Sequence, residues 1–376
     1  MRQLAKQVGY MTRIIKIHRY LGLSISLIVL LISLTGVLLV WKKEFLWVAI
    51  APSRELPVTD LKLQDAALAI VNSYDQNEVL LARFYFEGLS LHKVWLADQR
   101  YAFHDQFGQQ IQVWEGNDRF EDWLLTLHSR LLAGDVLGKH TIGLTGLSIL
   151  VLVSLGLFMF WTRRKSYSFN LFPQSTRYLH IRKSHSEVGV TIFLPVLVVA
   201  ITGVVLIYPT ESRTILRDGF SEPPPLVKTQ IQPKRNQVSS QQSDQPLWFS
   251  AFEIAEKRFP DSQIKWLSFP SKDLGTFAIG VQESTSWDRM GRTQIRYEGD
   301  NVWTLQQQSD QRVAHTLFDF FYPMHSAKLP FWYRGLLSFT GLLLAWLSFL
   351  GIVSFFKRRS NKALSARKKT ISGPTS

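Results

Sequence analysis

The chain has 376 residues, no cysteine, 46% hydrophobic residues and a formal net charge of +14. Without cysteine it can hold no iron–sulfur cluster, thioether-linked c-type haem or disulfide. Its positive charge lies in short segments beside apolar runs and collects on no soluble face, so nucleic acid is excluded as a partner.

In chain order, a basic arm (1–20) leads into Leu21–Trp41, the first of four stretches free of Asp, Glu, Lys and Arg. The others are Thr141–Trp161, Val188–Tyr208 and Gly335–Phe356, each 21 or 22 residues long like the first. Roughly 20 apolar residues cross a hydrocarbon layer of about 30 Å, so four transmembrane helices are expected. The first is read as a retained anchor, being too long for the apolar core of a signal peptide.

Residues 42–127 are expected to form an α+β insertion, with a helix over Asp65–Val71. Its strands fall near Val79–Phe86, His92–Ala97, Tyr101–His104 and Gln109–Val113. A pre-helix segment (128–140) containing Gly134 and Gly138 points to a bend before the second span. A basic loop (162–187) precedes the third span, where Pro195 is tolerable if neighbours satisfy the freed carbonyl. Residues 209–332 read as a second α+β insertion, opening with a flexible Pro-, Gln- and Ser-rich linker (221–246). A helix over Ala251–Phe259 follows, then strands near Ile264–Phe269, Thr276–Gln282, Thr293–Tyr297 and Asn301–Gln306. The two insertions echo each other without gaps at an offset of 185: Ala66 meets Ala251, Tyr74 meets Phe259 and Val79 meets Ile264. A basic tail (357–376) closes the chain.

The arm, the middle loop and the tail hold eighteen basic residues against one acid, Glu187, while the rest has 25 basic and 28 acidic residues. The positive-inside rule therefore places these three segments in the cytoplasm and both insertions outside it, as expected for a bacterial inner membrane.

The spans share a histidine pattern. His18 is followed by Gly22 and, seventeen residues on, by Thr35-Gly36; His185 is followed by Gly189 and, again seventeen on, by Thr202-Gly203. Leu144-Thr145-Gly146-Leu147 precedes Leu155-Gly156 and Arg163-Arg164, as Phe339-Thr340-Gly341-Leu342 precedes Leu350-Gly351 and Arg358-Arg359, with equal intervals. Ahead of them stand Leu127-His128-Ser129 and Met324-His325-Ser326. The expected fold is thus a membrane α-helical bundle of four helices, made from a duplicated hairpin with an α+β insertion in each copy.

On a helix, positions i+4 and i+18 share the face of residue i. Glycines there, Gly22 and Gly36 or Gly189 and Gly203, leave room beside an imidazole for a flat ring. His18 and His185 are candidate axial ligands of one b-type haem, with Arg13, Arg19, Arg182 and Lys183 near its propionates. His128 and His325 are candidates for a second, with Arg130, Lys139, Lys328 and Arg334 nearby. His140 is a reserve ligand there, and His315 lies ten residues before His325. The alternative is that the histidines anchor helix ends and the glycines serve helix packing. Ionisable groups at membrane depth favour ligation. His92 and His104 fall in strand patterns and are expected to be structural, and Trp248, Trp287 and Trp303 are more naturally core than ligand contacts. No zinc motif, nucleophile elbow or phosphate loop is present.

At the four histidines and their Thr-Gly partners the chain resembles the PepSY-associated transmembrane proteins, with the iron-regulated inner-membrane ferrisiderophore reductases as the nearest likeness. That resemblance implies about two b-type haems per chain, PepSY-like outer domains and reduction of a ferric siderophore or other ferric chelate at the periplasmic face. Electrons would come from a cytoplasmic donor or quinol. Two other functions fit the same residues: a non-redox scaffold or sensor with PepSY-like domains, and a haem subunit serving another acceptor.

Overall fold

The computed structural model describes residues 2–58, 62–75, 78–162, 164–222, 229–231, 246–270, 275–284, 290–299, 302–307 and 313–371. They form two units: Met1–Val40, Leu124–Arg213 and Phe318–Ser376 in one, Trp41–Trp123 and Thr214–Leu317 in the other.

The first unit is helical. α1 (Arg2–Val40) and α11 (Phe331–Ile371) contain candidate spans at Gly9–Val40 and Phe331–Ser365, and α5 (Lys139–Trp161) with the turn before it forms a third at Gly134–Trp161. Their apolar residues continue all round the helix, the pattern of a segment whose outer face meets lipid. The third expected span is broken: α6 (Tyr178–Thr191) and α7 (Phe193–Ile207) meet at an angle of 65°. Pro195 is the third residue of α7 and offers no N–H to the Thr191 carbonyl, and Ile192 leaves helical geometry at φ −104° and ψ 7°. The 15 residues of α7 reach only about 22 Å, less than the hydrocarbon thickness, so a fourth crossing here would need part of α6. The expectation of one continuous helix over Val188–Tyr208 is corrected accordingly.

α1 lies against α11, and α5 against α7. The contacts run through glycine: a Cβ on Gly146 would stand 2.7 Å from Val204, and one on Gly341 would stand 2.6 Å from Val37. Val29, Ile149, Val188, Val196, Leu343 and Leu350 fill the centre. α4 (Phe120–Arg130) carries His128 near its end, and α10 (Val313–His325) ends on His325. After α4 the chain turns through positive φ at Leu131, Leu132 and Gly134 into a π-helical turn over Gly134–Gly138. Gly138 is obligatory there, since a Cβ would lie 1.9 Å from the Arg130 carbonyl oxygen.

The second unit corrects the expectation of two separate outer domains. β1 (Val79–Arg83), β2 (Leu91–Leu96), β3 (Arg100–Asp105) and β4 (Gln110–Glu115) join β5 (Thr229–Ile231), β6 (Gln263–Ser268), β7 (Phe277–Gln282), β8 (Thr293–Tyr297) and β9 (Trp303–Gln306) in one antiparallel sheet. The order is β4-β3-β2-β1-β6-β7-β8-β9-β5. Leu81 pairs Ser268, Ala82 pairs Leu267 and Arg83 pairs Trp266 across the β1–β6 junction. Phe84 N–H donates to the Lys265 carbonyl at 2.8 Å and Phe269 N–H to the Leu80 carbonyl at 2.9 Å. Under the offset of 185 these partners exchange places, so the junction is symmetric about Ala82 and Leu267.

α3 (Leu63–Asn72) and α9 (Phe249–Arg258) supply Ala67, Ile70, Phe252 and Ala255 to one core with Ala82, Leu267 and Ile279. Trp248 and Trp303 belong to this core, and Trp287 lies outside the described residues. α2 (Lys42–Ala49) contributes Leu46 to a second cluster with Leu91, Phe103 and Trp114. β5 lies inside the expected flexible linker and pairs with β9, while 223–228 and 232–245 are outside the described residues. α8 (Pro209–Gly219) follows α7.

Candidate cofactor sites

The four candidate histidines meet in two pairs, each drawing one residue from either half of the chain. The His18 ring on α1 and the His185 ring on α6 are 6.3 Å apart between centroids and nearly perpendicular, at 82°. The His128 and His325 rings are 6.2 Å apart at 49°. Two imidazoles on opposite faces of one metal, each nitrogen about 2 Å from it and each ring centre roughly 1.1 Å behind the nitrogen, stand about 6.3 Å centre to centre. Both pairs have that spacing.

Hydrogen bonds define which nitrogen remains. His185 Nδ1 lies 3.0 Å from the Leu347 carbonyl and so carries the proton. His128 Nδ1 lies 3.1 Å from Thr35 Oγ1, and His325 Nδ1 lies 3.0 Å from Thr202 Oγ1. All three bonds use Nδ1 and leave Nε2 as the lone-pair atom, the usual arrangement of a ligating histidine. His18 Nδ1 is buried without a bond of standard geometry, the neighbouring acceptor being the Leu152 carbonyl on α5.

Glycines seat the rings. A Cβ on Gly36 would be 3.0 Å from His128 Cε1, and one on Gly203 would be 3.1 Å from His325 Cε1. These two glycines therefore make room for the imidazoles of the second pair, a more specific role than the space for a macrocycle expected from sequence. Gly156 on α5 and Gly351 on α11 lie beside His18 and His185, where a Cβ would stand in ordinary contact at 3.5 and 3.4 Å. Gly22 and Gly189 open instead on a cavity of about 1020 Å³ that also receives His18 and His185. Lys16, Arg19, Arg182, Lys183 and Arg358 line it, with Glu187 as its acid. Of the expected propionate partners, Arg19, Arg182 and Lys183 reach this cavity, whereas Arg13 is not part of its lining. Glu187 accepts hydrogen bonds from Ser168 Oγ at 3.0 Å and from Asn170 N–H, tying the loop before α6 to the site.

Of the cations expected near the second pair, Arg130 forms an ion pair with Asp135 at 2.7 Å. Lys139 stands over the Tyr208 ring and Lys328 over the Tyr322 ring, while Arg334 donates to the Val40 carbonyl at 2.8 Å. His140, the reserve ligand, has Nδ1 3.3 Å from the Tyr208 hydroxyl and its ring 5.9 Å from the Tyr208 ring. Sequence reasoning passed over Thr35, Thr202, Gly156 and Gly351. The signal was present, since all four belong to the repeated Thr-Gly and Leu-Gly pairs, but the residue that meets an imidazole depends on which helices become neighbours.

Among the described residues no group of three or more His, Cys, Asp or Glu side chains could hold a metal ion. A tetrahedral zinc site needs such a group. A haem needs only two axial side chains, because the porphyrin supplies the other four donors. The spacing, the free Nε2 atoms and the glycine seats fit that requirement.

A helical membrane unit with two half-buried histidine pairs and a separate antiparallel sheet unit define the class of this protein. It belongs to the PepSY-associated transmembrane family: the family described as "PepSY-associated TM region" matches residues 15–358. No curated protein matches the chain significantly.

Proposed function

We propose that this protein is a di-haem b electron conduit of a bacterial inner membrane, built from a duplicated two-helix hairpin. In this reading it is a haem-dependent ferric reductase, passing electrons outward to a ferric chelate of the ferrisiderophore class and so releasing iron. The observation that carries the reading is the bis-imidazole spacing of both histidine pairs, 6.3 and 6.2 Å. Haem b bound there supplies one-electron chemistry at iron.

His18 and His185 would hold one group, and Gly22 and Gly189 would leave space for its ring. Lys16, Arg19, Arg182, Lys183 and Arg358 would neutralise its propionates from the cavity wall. His128 and His325 would hold the other. Arg130 would reach propionates at this second site by exchanging its partner Asp135. Residues 18 and 36 on α1, which meet the first and second sites, are about 27 Å apart along the axis, so the two sites sit toward opposite faces of a bilayer. The basic arm, loop and tail support a cytoplasmic first site, supplied by a soluble donor or a quinol, and a periplasmic second site.

His185→Ala is the test. The detergent-purified variant is expected to keep about one of two b-type haems, with the second site's reduced-minus-oxidised spectrum unchanged. Retention of both haems defeats the assignment.

A further inference from the structure

Resting on the haem reading above, we infer that Thr35 and Thr202 are positioning residues for the second site. Each hydroxyl receives the Nδ1–H of its histidine and thereby sets the tautomer, the ring plane and the donor strength with which Nε2 meets iron.

Proton counting fixes the direction of each bond. A threonine hydroxyl has one proton and two lone pairs. Thr35 Oγ1 lies 2.9 Å from the Leu31 carbonyl and 3.1 Å from the Ile32 carbonyl, and Thr202 Oγ1 lies 2.9 and 3.1 Å from the Val198 and Val199 carbonyls. The proton is committed to those carbonyls, so each oxygen faces its imidazole as an acceptor. Both residues are buried, at 4% and 2% exposure, and water cannot take over the bond. With Nδ1–H fixed in this way, only Nε2 is left to bind a metal.

Back-bonding of threonine within a helix is common and needs no further role. The chain contains its own control for that simpler explanation. Four Thr-Gly pairs occur in the helices, and Thr145 and Thr340 are equally buried, at 2% each. They bond to the Thr141 and Leu336 carbonyls at 2.8 Å, as their counterparts bond to theirs, but neither bonds an imidazole. Helix geometry alone would make the four threonines equivalent. Only the two on α1 and α7 meet a histidine.

The test compares Thr35→Val and Thr202→Val with Thr145→Val and Thr340→Val in the full-length, haem-loaded protein. Valine keeps the shape and removes the hydroxyl acceptor, leaving the imidazole only the Ile32 or Val199 backbone carbonyl. The first two are expected to bind the second haem about 10–100-fold more weakly. They are also expected to raise its midpoint potential, because an imidazole relieved of its Nδ1 bond donates less to ferric iron. The first haem, assigned by its loss in His185→Ala, serves as the folding control in each sample and should keep its potential. Thr35→Ser and Thr202→Ser should restore the parent values. If all four valine variants behave alike, or if serine behaves as valine does, the inference is overturned. A parent protein that binds no haem is a separate result, and it overturns the haem reading itself.

Discussion

Both units hold histidines in pairs, and the two kinds of pair differ in burial and in what their nitrogens do. In the sheet unit His92 and His104 face each other across β2 and β3 and are wholly buried. His92 is bonded at both nitrogens, accepting from Tyr85 N–H at Nδ1 and donating from Nε2 to the Gln106 carbonyl, both at 3.3 Å. His104 Nε2 meets the Tyr74 hydroxyl at 3.3 Å, and its Nδ1 is buried without a partner. In the membrane unit His128, His185 and His325 are anchored through Nδ1 only, glycines seat the rings, and the partner imidazole stands at metal-bridging distance. Burial alone therefore does not mark a ligand. The mark is a second imidazole about 6.3 Å away, with Nδ1 the anchored nitrogen in three of the four rings.

The largest effect that could break this contrast comes from filling a glycine seat. Gly203→Val is expected to push His325 aside, abolish the second haem and leave the first, as read from the two spectral components. The reciprocal Gly351→Val should remove the first haem. If either variant kept full haem content, the seats would be irrelevant to the sites.

The next effect belongs to the sheet unit and should leave the haems untouched. Lys93 is buried, at 5% exposure, and is ringed by Phe86, Trp95, Tyr101, Phe103 and Trp114 with ring centres at 4.9 to 5.9 Å. Its ammonium pairs with Asp122 at 3.2 Å, and the Asp122 carboxylate also accepts from Trp114 Nε1 at 2.9 Å. Burial pulls the Lys93 amine down to about 8, against the opposing pull of Asp122. Lys93→Ala leaves that carboxylate buried and short of its cation, at a cost of about 3–5 kcal/mol. Denaturation followed by tryptophan fluorescence should report the loss while the haem spectrum stays constant.

A smaller effect follows from pH. Burial lowers His92 to about 4, and burial together with the neighbouring His92 lowers His104 to about 4, from an unfolded value near 6.5. Between those values the unfolded chain binds more protons than the folded one. Stability of the sheet unit should therefore be fully present above pH 6.5 and should decline as pH falls toward 4, by at most about 1.4 kcal/mol per pKa unit at each histidine. His104→Phe should flatten that acid slope in a pH series of melting curves. An unchanged slope would mean that these histidines titrate alike in both states. The smallest expected effect is at His140, whose ring is held by Tyr208. His140→Phe should leave haem content and both spectra as they are, and loss of the second haem would make it a ligand.

Much of this was legible in sequence because it is local. Charge-free runs gave three continuous spans, and alternation gave eight of the nine described strands near their observed places. The equal intervals from His18 to Gly36 and from His185 to Gly203 singled out the ligand candidates. What escaped was set by distant partners. The β1–β6 junction joins strands about 185 residues apart, and nothing in either strand announces the other. The break at Ile192 turned on whether Pro195 would be absorbed or would bend the helix, which neighbours decide. β5 is three residues of a polar linker and acquires its identity only from β9. The roles of Thr35, Thr202, Gly156 and Gly351 likewise depend on which helix stands opposite.

The most direct measurement is a pyridine haemochrome determination on the full-length protein, purified in detergent after expression with ample haem. Two b-type haems per chain, both low-spin with bis-histidine signatures, is the result that follows from the paired imidazoles. A colourless protein with no Soret band would contradict it, leaving His18–His185 and His128–His325 as ring contacts between helices.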